Sequence, residues 1–223
     1  MTVAEMKRLL LLKFEGLFEF SAPAYSDQQL SDVLNNAQRR IVRDVDSPNP
    51  QRGYGGFDYN ERVRKYLAPL LVKDNVAGGL TLGAVGTGVF TYGYPITLPS
   101  DCWYIKQEIP TLTGITANVT VKPQPLDFYS ANINNPYKQP DTGTIWRFDT
   151  GANTIEVVTD GTILTEYQIV YMKEVPDVDI TTPTECILHE DLHDDIVDEA
   201  YKIITGAANP ETYNIANNEA NNN

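Results

Sequence analysis

One segment of the sequence has the spacing of a catalytic metal site, since His189-Glu190-Asp191-Leu192-His193 matches the zinc-protease pattern HExxH. In that pattern two histidines at positions i and i+4 of a helix bind one Zn²⁺, and the glutamate is the general base for the zinc-bound water. Catalytic zinc takes three protein ligands. The chain contains 2 histidines, so the third ligand would have to be a carboxylate.

The surroundings of this segment favour a structural role for it. Glu211 and Glu219, the carboxylates that follow the predicted helix, lie in or near an Asn-rich terminal segment. His189 and His193 fall on the apolar side of that helix, where a packed or interface histidine is the ordinary expectation. We therefore interpret His189, Glu190 and His193 as structural residues, and we expect no catalytic residue, no metal and no cofactor.

Other segments carry weaker chemical signals. The glycine-rich segment 83–88 (GAVGTG) lacks the Gly-Lys-Ser/Thr of a P-loop and the GxGxxG of a dinucleotide site. Trp103 and Trp146 could stack on sugar rings, which makes a carbohydrate-binding or receptor-binding module the main alternative function. Buried cores and subunit interfaces are the more frequent places for such aromatic residues.

The charge balance restricts the possible partners. Asp and Glu outnumber Lys and Arg by 30 to 17, and the formal net charge is -13. Because affinity for nucleic acid depends mostly on Lys and Arg neutralising phosphates, this sign opposes tight DNA binding and permits only passive contact. No segment has the roughly 20 apolar residues of a membrane span, so we expect no membrane partner. We expect Cys102 and Cys186 to be free thiols; the alternative is a single disulfide between them.

Three helices are predicted in the first third of the chain. Capping-box patterns stand at Thr2-x-x-Glu5, Ser26-x-x-Gln29 and Asp58-x-x-Glu61. The first box precedes an apolar stripe through Met6, Leu9, Leu10 and Phe14. The second precedes apolar residues at helical spacing, namely Leu30, Val33, Leu34, Ala37, Ile41 and Val45. The third helix is predicted to run to about Leu71, with Pro69 disturbing its last turn.

From about residue 76 to residue 179 the pattern becomes that of β structure. Segments 87–98, 102–108, 115–121, 144–148, 154–158 and 164–172 are rich in β-branched and aromatic residues and are predicted as strands. Asp160-Gly161 predicts a hairpin turn between the last two strands. Short strands at close spacing indicate an antiparallel barrel or sandwich.

A final amphipathic helix is predicted from about residue 188. Its apolar face consists of Leu188, Leu192, Ile196, Ala200, Ile203 and Ile204, and its acidic face of Glu190, Asp191, Asp194, Asp195 and Asp198. The predicted fold class is therefore α+β. Residues 1–75 and 180–208 would form a helical bundle domain, 76–179 an inserted antiparallel β-barrel or sandwich domain, and 209–223 an Asn-rich C-terminal arm.

Several segments occur in a recognisable order along nearly the whole chain. They are NNAQRRIV at 35–42, FDYNER at 57–62, LPSDCW at 98–103, NPYKQP at 135–140, WRF at 146–148 and LHEDLHDDIVDEA at 188–200. In this order the chain resembles the head-to-tail connector ring proteins of crAss-like phages that infect gut Bacteroidales. More distantly, it is similar to the tail tubular and adaptor proteins of podoviruses.

The resemblance implies a structural virion protein whose fold is a helical bundle carrying a β-barrel or sandwich. Members of this group form a dodecameric ring that matches the symmetry of the portal. The implied partners are further copies of the chain, the portal protein, an adjacent tail ring protein and, passively, the genomic DNA that passes through the ring. Assembly would take place in the cytoplasm of the bacterial host. Which ring of the tail this chain forms stays open, as does the role of the glycine-rich segment near Leu80.

Two surfaces would serve such a ring. The acidic residues Asp191, Asp194, Asp195 and Asp198 would line the bore, because a surface that repels phosphates lets DNA slide. The segment after Gly206 would be an arm that docks on the portal or on an adjacent subunit. Its candidate contact residues are Asn209, Pro210, Tyr213, Ile215 and Asn223.

Overall fold

A computed structural model describes residues 1–18, 25–46, 61–76, 90–151, 153–182 and 184–208. The chain divides into two compact units, which we call the helical unit (Met1–Leu70 and Val175–Asn223) and the β unit (Leu71–Glu174). The α+β class is confirmed. The chain passes from the helical unit to the β unit after Leu70 and returns after Glu174. The sequence pattern places these two boundaries after residues 75 and 179.

The described elements begin with three helices, continue with strands that are interrupted by one short helix, and end with a helix. They are α1 (Val3–Phe18), α2 (Asp27–Asp46), α3 (Glu61–Leu67), β1 (Leu71–Asn75), β2 (Gly93–Thr97), β3 (Cys102–Leu112), β4 (Thr120–Pro123), α4 (Phe128–Asn132), β5 (Thr144–Gly151), β6 (Thr154–Val158), β7 (Leu164–Lys173) and α5 (His193–Ala208). Single turns of 3₁₀ helix lie at Ala68–Leu70 and Glu190–Leu192.

Both capping boxes within the described residues form as the sequence predicts. The N–H of Thr2 donates to Glu5 Oε2 at 2.7 Å, and the N–H of Glu5 donates to Thr2 Oγ1 at 3.2 Å. At α2 the corresponding distances between Ser26 and Gln29 are 2.9 and 3.3 Å. These bonds satisfy backbone donors that the first helical turn leaves free. Asp58, the predicted cap of α3, lies outside the described residues.

The apolar stripes of α1, α2 and α5 are buried within the helical unit, where α5 contacts both other helices. Buried positions include Met6, Leu10 and Phe14 of α1, Leu30, Leu34, Ile41 and Val45 of α2, and Ile196, Ala200 and Ile204 of α5. Leu9 and Val33 are only half-buried.

The predicted extension of α3 to Leu71 is wrong. The α-helix ends at Leu67, a 3₁₀ turn follows, and β1 begins at Leu71. Pro69 explains the change, since its ring removes a backbone donor and clashes with the preceding helical turn. The sequence pattern also missed β1, which contains Lys73, Asp74 and Asn75 and is too polar to be recognised as a strand.

The described residues of the β unit form two sheets, with strand orders β1-β7-β3 and β2-β6-β5-β4. Between the described strands, all pairings are antiparallel except that of β4 with β5, which is parallel and corrects the all-antiparallel prediction. Residues of both sheets share one core, among them Ile96, Ile155, Tyr167 and Ile169. The sheets stay separate within the described residues and form no closed barrel.

The predicted hairpin at Asp160-Gly161 is also wrong. β6 pairs with β2 and β5, whereas β7 pairs with β1 and β3, so the turn carries the chain from one sheet to the other. Locally the turn signal is genuine, because Asp160 Oδ1 accepts from the N–H of Thr162 at 2.9 Å and Gly161 has a φ of 102°. Such a turn reverses the chain but does not choose the strand that the next segment joins.

The other strand predictions hold to different extents. The segment 115–121 becomes a strand only from Thr120, and β2 covers only Gly93–Thr97 of the predicted 87–98. Residues 87–89 of that prediction lie outside the described residues. Among the described helices, none has the length and apolar character needed to cross a membrane.

Candidate functional site

The HExxH segment does not lie on one continuous α-helix. His189 is the cap of the 3₁₀ turn Glu190–Leu192, and α5 begins only at His193. The N–H of Asp191 donates to His189 Nδ1 at 3.3 Å, and the imidazole lies 5.4 Å from the Tyr66 ring between centroids. The two histidines therefore lack the helical i and i+4 geometry through which this pattern binds zinc.

His193 is a buried residue with a hydrogen bond to the backbone. Its side chain is 4% exposed, and Nε2 lies 3.0 Å from the carbonyl oxygen of Leu188. Because a carbonyl can only accept, Nε2 carries the proton and donates it. Nδ1 is buried and has no hydrogen-bond partner among the residues that the structure describes. Burial lowers the pKa of His193, which favours the neutral imidazole.

A zinc site would need further ligands close to these histidines. Within the described part of the chain, no group of three or more His, Cys, Asp or Glu side chains could hold a metal ion. The His193 nitrogen that donates to Leu188 would also have to give up this bond in order to ligate through Nε2. The described geometry therefore supplies no HExxH zinc centre.

The four acidic residues proposed for the bore differ in their surroundings. All four side chains are at least partly exposed to solvent. Asp198 Oδ1 forms an ion pair with Lys13 Nζ at 2.7 Å, which compensates part of the negative charge. Partial desolvation raises the pKa of Asp195, although the residue is exposed, and the charges of Asp198 and Asp194 raise it further. These acids form one cluster at the start of α5.

The candidate residues of the C-terminal arm, Asn209, Pro210, Tyr213, Ile215 and Asn223, lie outside the described residues. The glycine-rich segment near Leu80 lies outside them as well.

Trp146 is a core residue, which agrees with the more frequent role expected for such aromatic residues and leaves the alternative of a sugar platform at this position without support. Its side chain is 2% exposed. Edge-to-face contacts place its ring 5.2 Å from Phe128 and 6.1 Å from Phe148, between centroids. Aromatic pairs in this geometry stabilise a core beyond the effect of burial alone.

Trp103 has a different environment, in the wall of a cavity of about 460 Å³. Its ring stacks on that of Tyr104 at 5.0 Å, and Tyr104 is 40% exposed. We call this the Trp103 cavity; it lies within the β unit, and its walls include Leu98, Trp103, Tyr104, Arg147, Asp149 and Asn153. A concave site with aromatic walls and a few polar groups is suited to binding.

A charged network connects the two sheets beside this cavity. Arg147 Nη1 lies 3.0 Å from Glu108 Oε2, and the hydroxyl of Tyr167 donates to the other oxygen of Glu108. Burial and the neighbouring Glu108 raise the pKa of Tyr167, so the phenol stays protonated as a donor. On its other side, Arg147 Nε lies 3.4 Å from Asp149 Oδ1, and the Asp149 side chain is 72% exposed.

Arg147 and Asp149 are site residues that no sequence pattern identified. A usable signal was present, because Arg147 stands between the apolar Trp146 and Phe148 in a predicted strand. A charge that interrupts such a strand needs a partner nearby. Cys102, which also lines the cavity, and Cys186 are free thiols as predicted, and burial raises the pKa of each.

Comparison with known proteins gives a consistent result. A family model described as phage tail ring protein 3/4 matches residues 10–215 of the chain. The chain is 24% identical over 198 residues to ring protein 3 of Bacteroides phage crAss001, covering 79% of this chain and 83% of that protein. It is 23% identical over 227 residues to ring protein 4/5 of the same phage, covering 93% of each. These findings confirm the resemblance to crAss-like phage ring proteins.

Proposed function

The chain belongs to the phage tail ring protein 3/4 family, which makes it a structural component of the virion, and on this premise we propose that twelve copies form a ring between portal and tail. The observation that carries the proposal is the family match over residues 10–215, which includes parts of both units. A ring that closes on itself needs a heterologous interface, in which each copy meets the next through two different surfaces. In this function the protein acts as a passive spacer and not as an enzyme.

The helical unit acts as a helical bundle in this proposal. Its support is the contact of α5 with α1 and α2, which buries one face of each helix. Each copy would be made in the host cytoplasm and join the portal on one side and an adjacent tail ring protein on the other. The ring then leaves a channel for the genomic DNA.

The acidic cluster at the start of α5 faces this channel in our proposal. Its support is the exposure of Asp191 and Asp194 and the net charge of -13, which repels phosphates. Replacing Asp191, Asp194 and Asp195 by Asn should slow or stall DNA ejection from phage particles. The control is Asp32→Asn on α2, an exposed acid outside the cluster. Ejection at the normal rate in the triple variant would reject this role.

The Asn-rich segment 209–223 docks on the portal or on an adjacent subunit in our proposal. Its support is composition alone, because the segment is too polar to form a core of its own. A chain that ends after residue 208 should keep the circular dichroism spectrum of the full chain and lose binding to the portal. Normal portal binding by this shortened chain would contradict the proposal.

Native mass spectrometry of the purified chain, with and without portal protein, tests the ring itself. We expect a twelve-fold assembly that forms, or becomes stable, when portal is present. Electron microscopy of the virion counts the copies of the protein in its natural assembly. A virion in which the protein occurs as a single copy, or outside any ring, would overturn the proposed function.

A further inference from the structure

Tyr137 is the most exposed large hydrophobic residue among those that the structure describes, with a side chain that is 95% exposed. It lies between α4 and β5 in the segment 135–140, which we call the Tyr137 turn. An aromatic side chain left in water forgoes a large favourable burial. Tyrosine is also among the residues that most often dominate the affinity of protein interfaces.

Hydrogen bonds to Asn135 order the backbone of the Tyr137 turn, from which this side chain projects. The N–H of Tyr137 donates to Asn135 Oδ1 at 3.0 Å, and those of Lys138 and Gln139 donate to the Asn135 carbonyl at 2.9 and 2.8 Å. Pro136 fixes its own φ angle. A side chain presented by such a turn loses less conformational entropy on binding than one on a loose loop.

The Tyr137 turn and the Trp103 cavity lie towards opposite ends of β5. The turn leads into the strand through the bridge between Asp141 and Thr144. The cavity lies where β5 returns as β6, and its walls include Asp149 and Asn153. At about 3.3 Å per residue, the two ends of this strand are roughly 20 Å apart.

We infer that Tyr137 of one copy inserts into the Trp103 cavity of the next copy, beside Trp103 and Tyr104, with Lys138 approaching Asp149. This inference rests on the proposed ring function and names the contact through which the ring closes. Two different patches at opposite ends of one unit meet the requirement of a heterologous, head-to-tail interface.

The chemistry of the two patches is complementary. The phenol ring of Tyr137 would pack against the stacked rings of Trp103 and Tyr104. Lys138 is exposed on the turn, and the Asp149 side chain is 72% exposed at the cavity, so opposite charges meet at the rim. A second cavity, of about 450 Å³, is lined by Asn134 and Gln139 and therefore lies beside the Tyr137 turn itself. It does not provide the separate patch that head-to-tail closure needs.

Sedimentation equilibrium of the purified chain tests the role of the tyrosine. Tyr137→Ala should weaken self-association about 30-fold, the effect of losing a central aromatic anchor. Leu126→Ala is the matched control, since Leu126 is a 54% exposed apolar side chain of the same unit. Equal association of the two variants would overturn the inference.

Charge exchange tests the pairing of Lys138 with Asp149. Lys138→Asp alone and Asp149→Lys alone should each weaken association, because like charges then meet across the interface. The chain with both substitutions should recover most of the lost affinity, since it restores an opposite-charge pair between copies. Additive losses in the double variant would contradict the pairing.

Photo-crosslinking locates the contact directly. A chain with benzoylphenylalanine in place of Tyr137 should crosslink to segment 98–105 or 147–155 of another copy, both in the purified chain at millimolar concentration and in virions. Crosslinks elsewhere, or a monomeric chain without crosslinks, overturn the inference. If the copies form a ring through contacts between other residues, this inference fails and the proposed function remains. If virions contain no ring of this protein, the proposed function fails as well. Specific binding of free saccharides in the cavity would favour a carbohydrate site and also count against the contact.

Discussion

The side chain of Asn35 satisfies both backbone groups of Val178. Asn35 Nδ2 donates to the Val178 carbonyl at 3.0 Å, and the N–H of Val178 donates to Asn35 Oδ1 at 2.8 Å. The amide thereby ties α2 to the segment in which the chain returns from the β unit. Gln38 Nε2 donates to Asn35 Oδ1 at 3.0 Å, which fixes the orientation of the amide.

Asn35→Ala should lower the free energy of unfolding by about 3 kcal/mol, because it leaves two buried backbone groups without partners. The neighbouring Asn36 is exposed and offers a matched control. Asn36→Ala should change stability by less than about 0.5 kcal/mol. Urea unfolding of both variants measures the difference, and similar losses in the two would contradict the role of Asn35.

The long helices α1, α2 and α5 were predictable because their signals are local. The capping partners of α2, Ser26 and Gln29, stand three residues apart, and its apolar face repeats every three to four residues. Strand pairing depends on contacts that are distant in sequence. The register that places Ile105 opposite Tyr171 cannot be read from either segment alone, and the Asp160-Gly161 turn misleads for the same reason.

The Glu108–Arg147 ion pair should contribute to the stability of the β unit. The two side chains are 10% and 14% exposed, so Glu108→Gln leaves the Arg147 charge in a largely desolvated site, with the exposed Asp149 as its remaining carboxylate neighbour among the described residues. We expect a loss of about 3 kcal/mol in the free energy of unfolding. Chemical denaturation followed by circular dichroism provides the measurement.

An exposed ion pair serves as the control for this prediction. The side chains of Arg39 and Asp177 are 36% and 63% exposed and lie 2.7 Å apart. Asp177→Asn should cost less than about 1 kcal/mol, because water screens the pair. Similar losses of unfolding free energy for Glu108→Gln and Asp177→Asn would contradict the prediction that the buried ion pair contributes more to stability than the exposed one.

The two tryptophans should respond differently to a quencher. Trp146 is 2% exposed, whereas Trp103 lines the cavity and is half-buried. In the Trp103→Phe variant, the remaining Trp146 fluorescence should resist iodide quenching. In Trp146→Phe, the remaining Trp103 should be quenched in the free chain and protected after ring assembly. Strong quenching of Trp146 would contradict its position in the core.

The candidate site was only partly accessible to sequence reasoning. HExxH spacing is visible in the sequence, but the change from a 3₁₀ turn to α5 between His189 and His193 is not. The Trp103 cavity combines residues of β3, β5 and β6 with Leu98, which follows β2, and its polar residues have no common motif. Only the fold brings Arg147 next to Glu108, which stands 39 positions earlier.

His193 should make stability depend on pH. Burial lowers the pKa of the folded-state imidazole, so the unfolded chain binds a proton first as the pH falls. The stabilisation contributed by neutral His193 is therefore complete above the unfolded pKa of about 6.5 and is lost as the pH falls towards the lower folded value. Urea unfolding from pH 8 to pH 5 should show this loss in the wild-type chain.

His193→Gln should remove this pH dependence while keeping a donor for the Leu188 carbonyl. The advantage of the wild-type chain over the variant should then shrink as the pH falls below about 6.5. His189→Gln, which replaces the other histidine, is the matched control for this variant. A wild-type advantage that is constant from pH 8 to pH 5, or that grows on acidification, would contradict the burial of a neutral His193. Nuclear magnetic resonance titration of the His193 ring measures the same pKa directly.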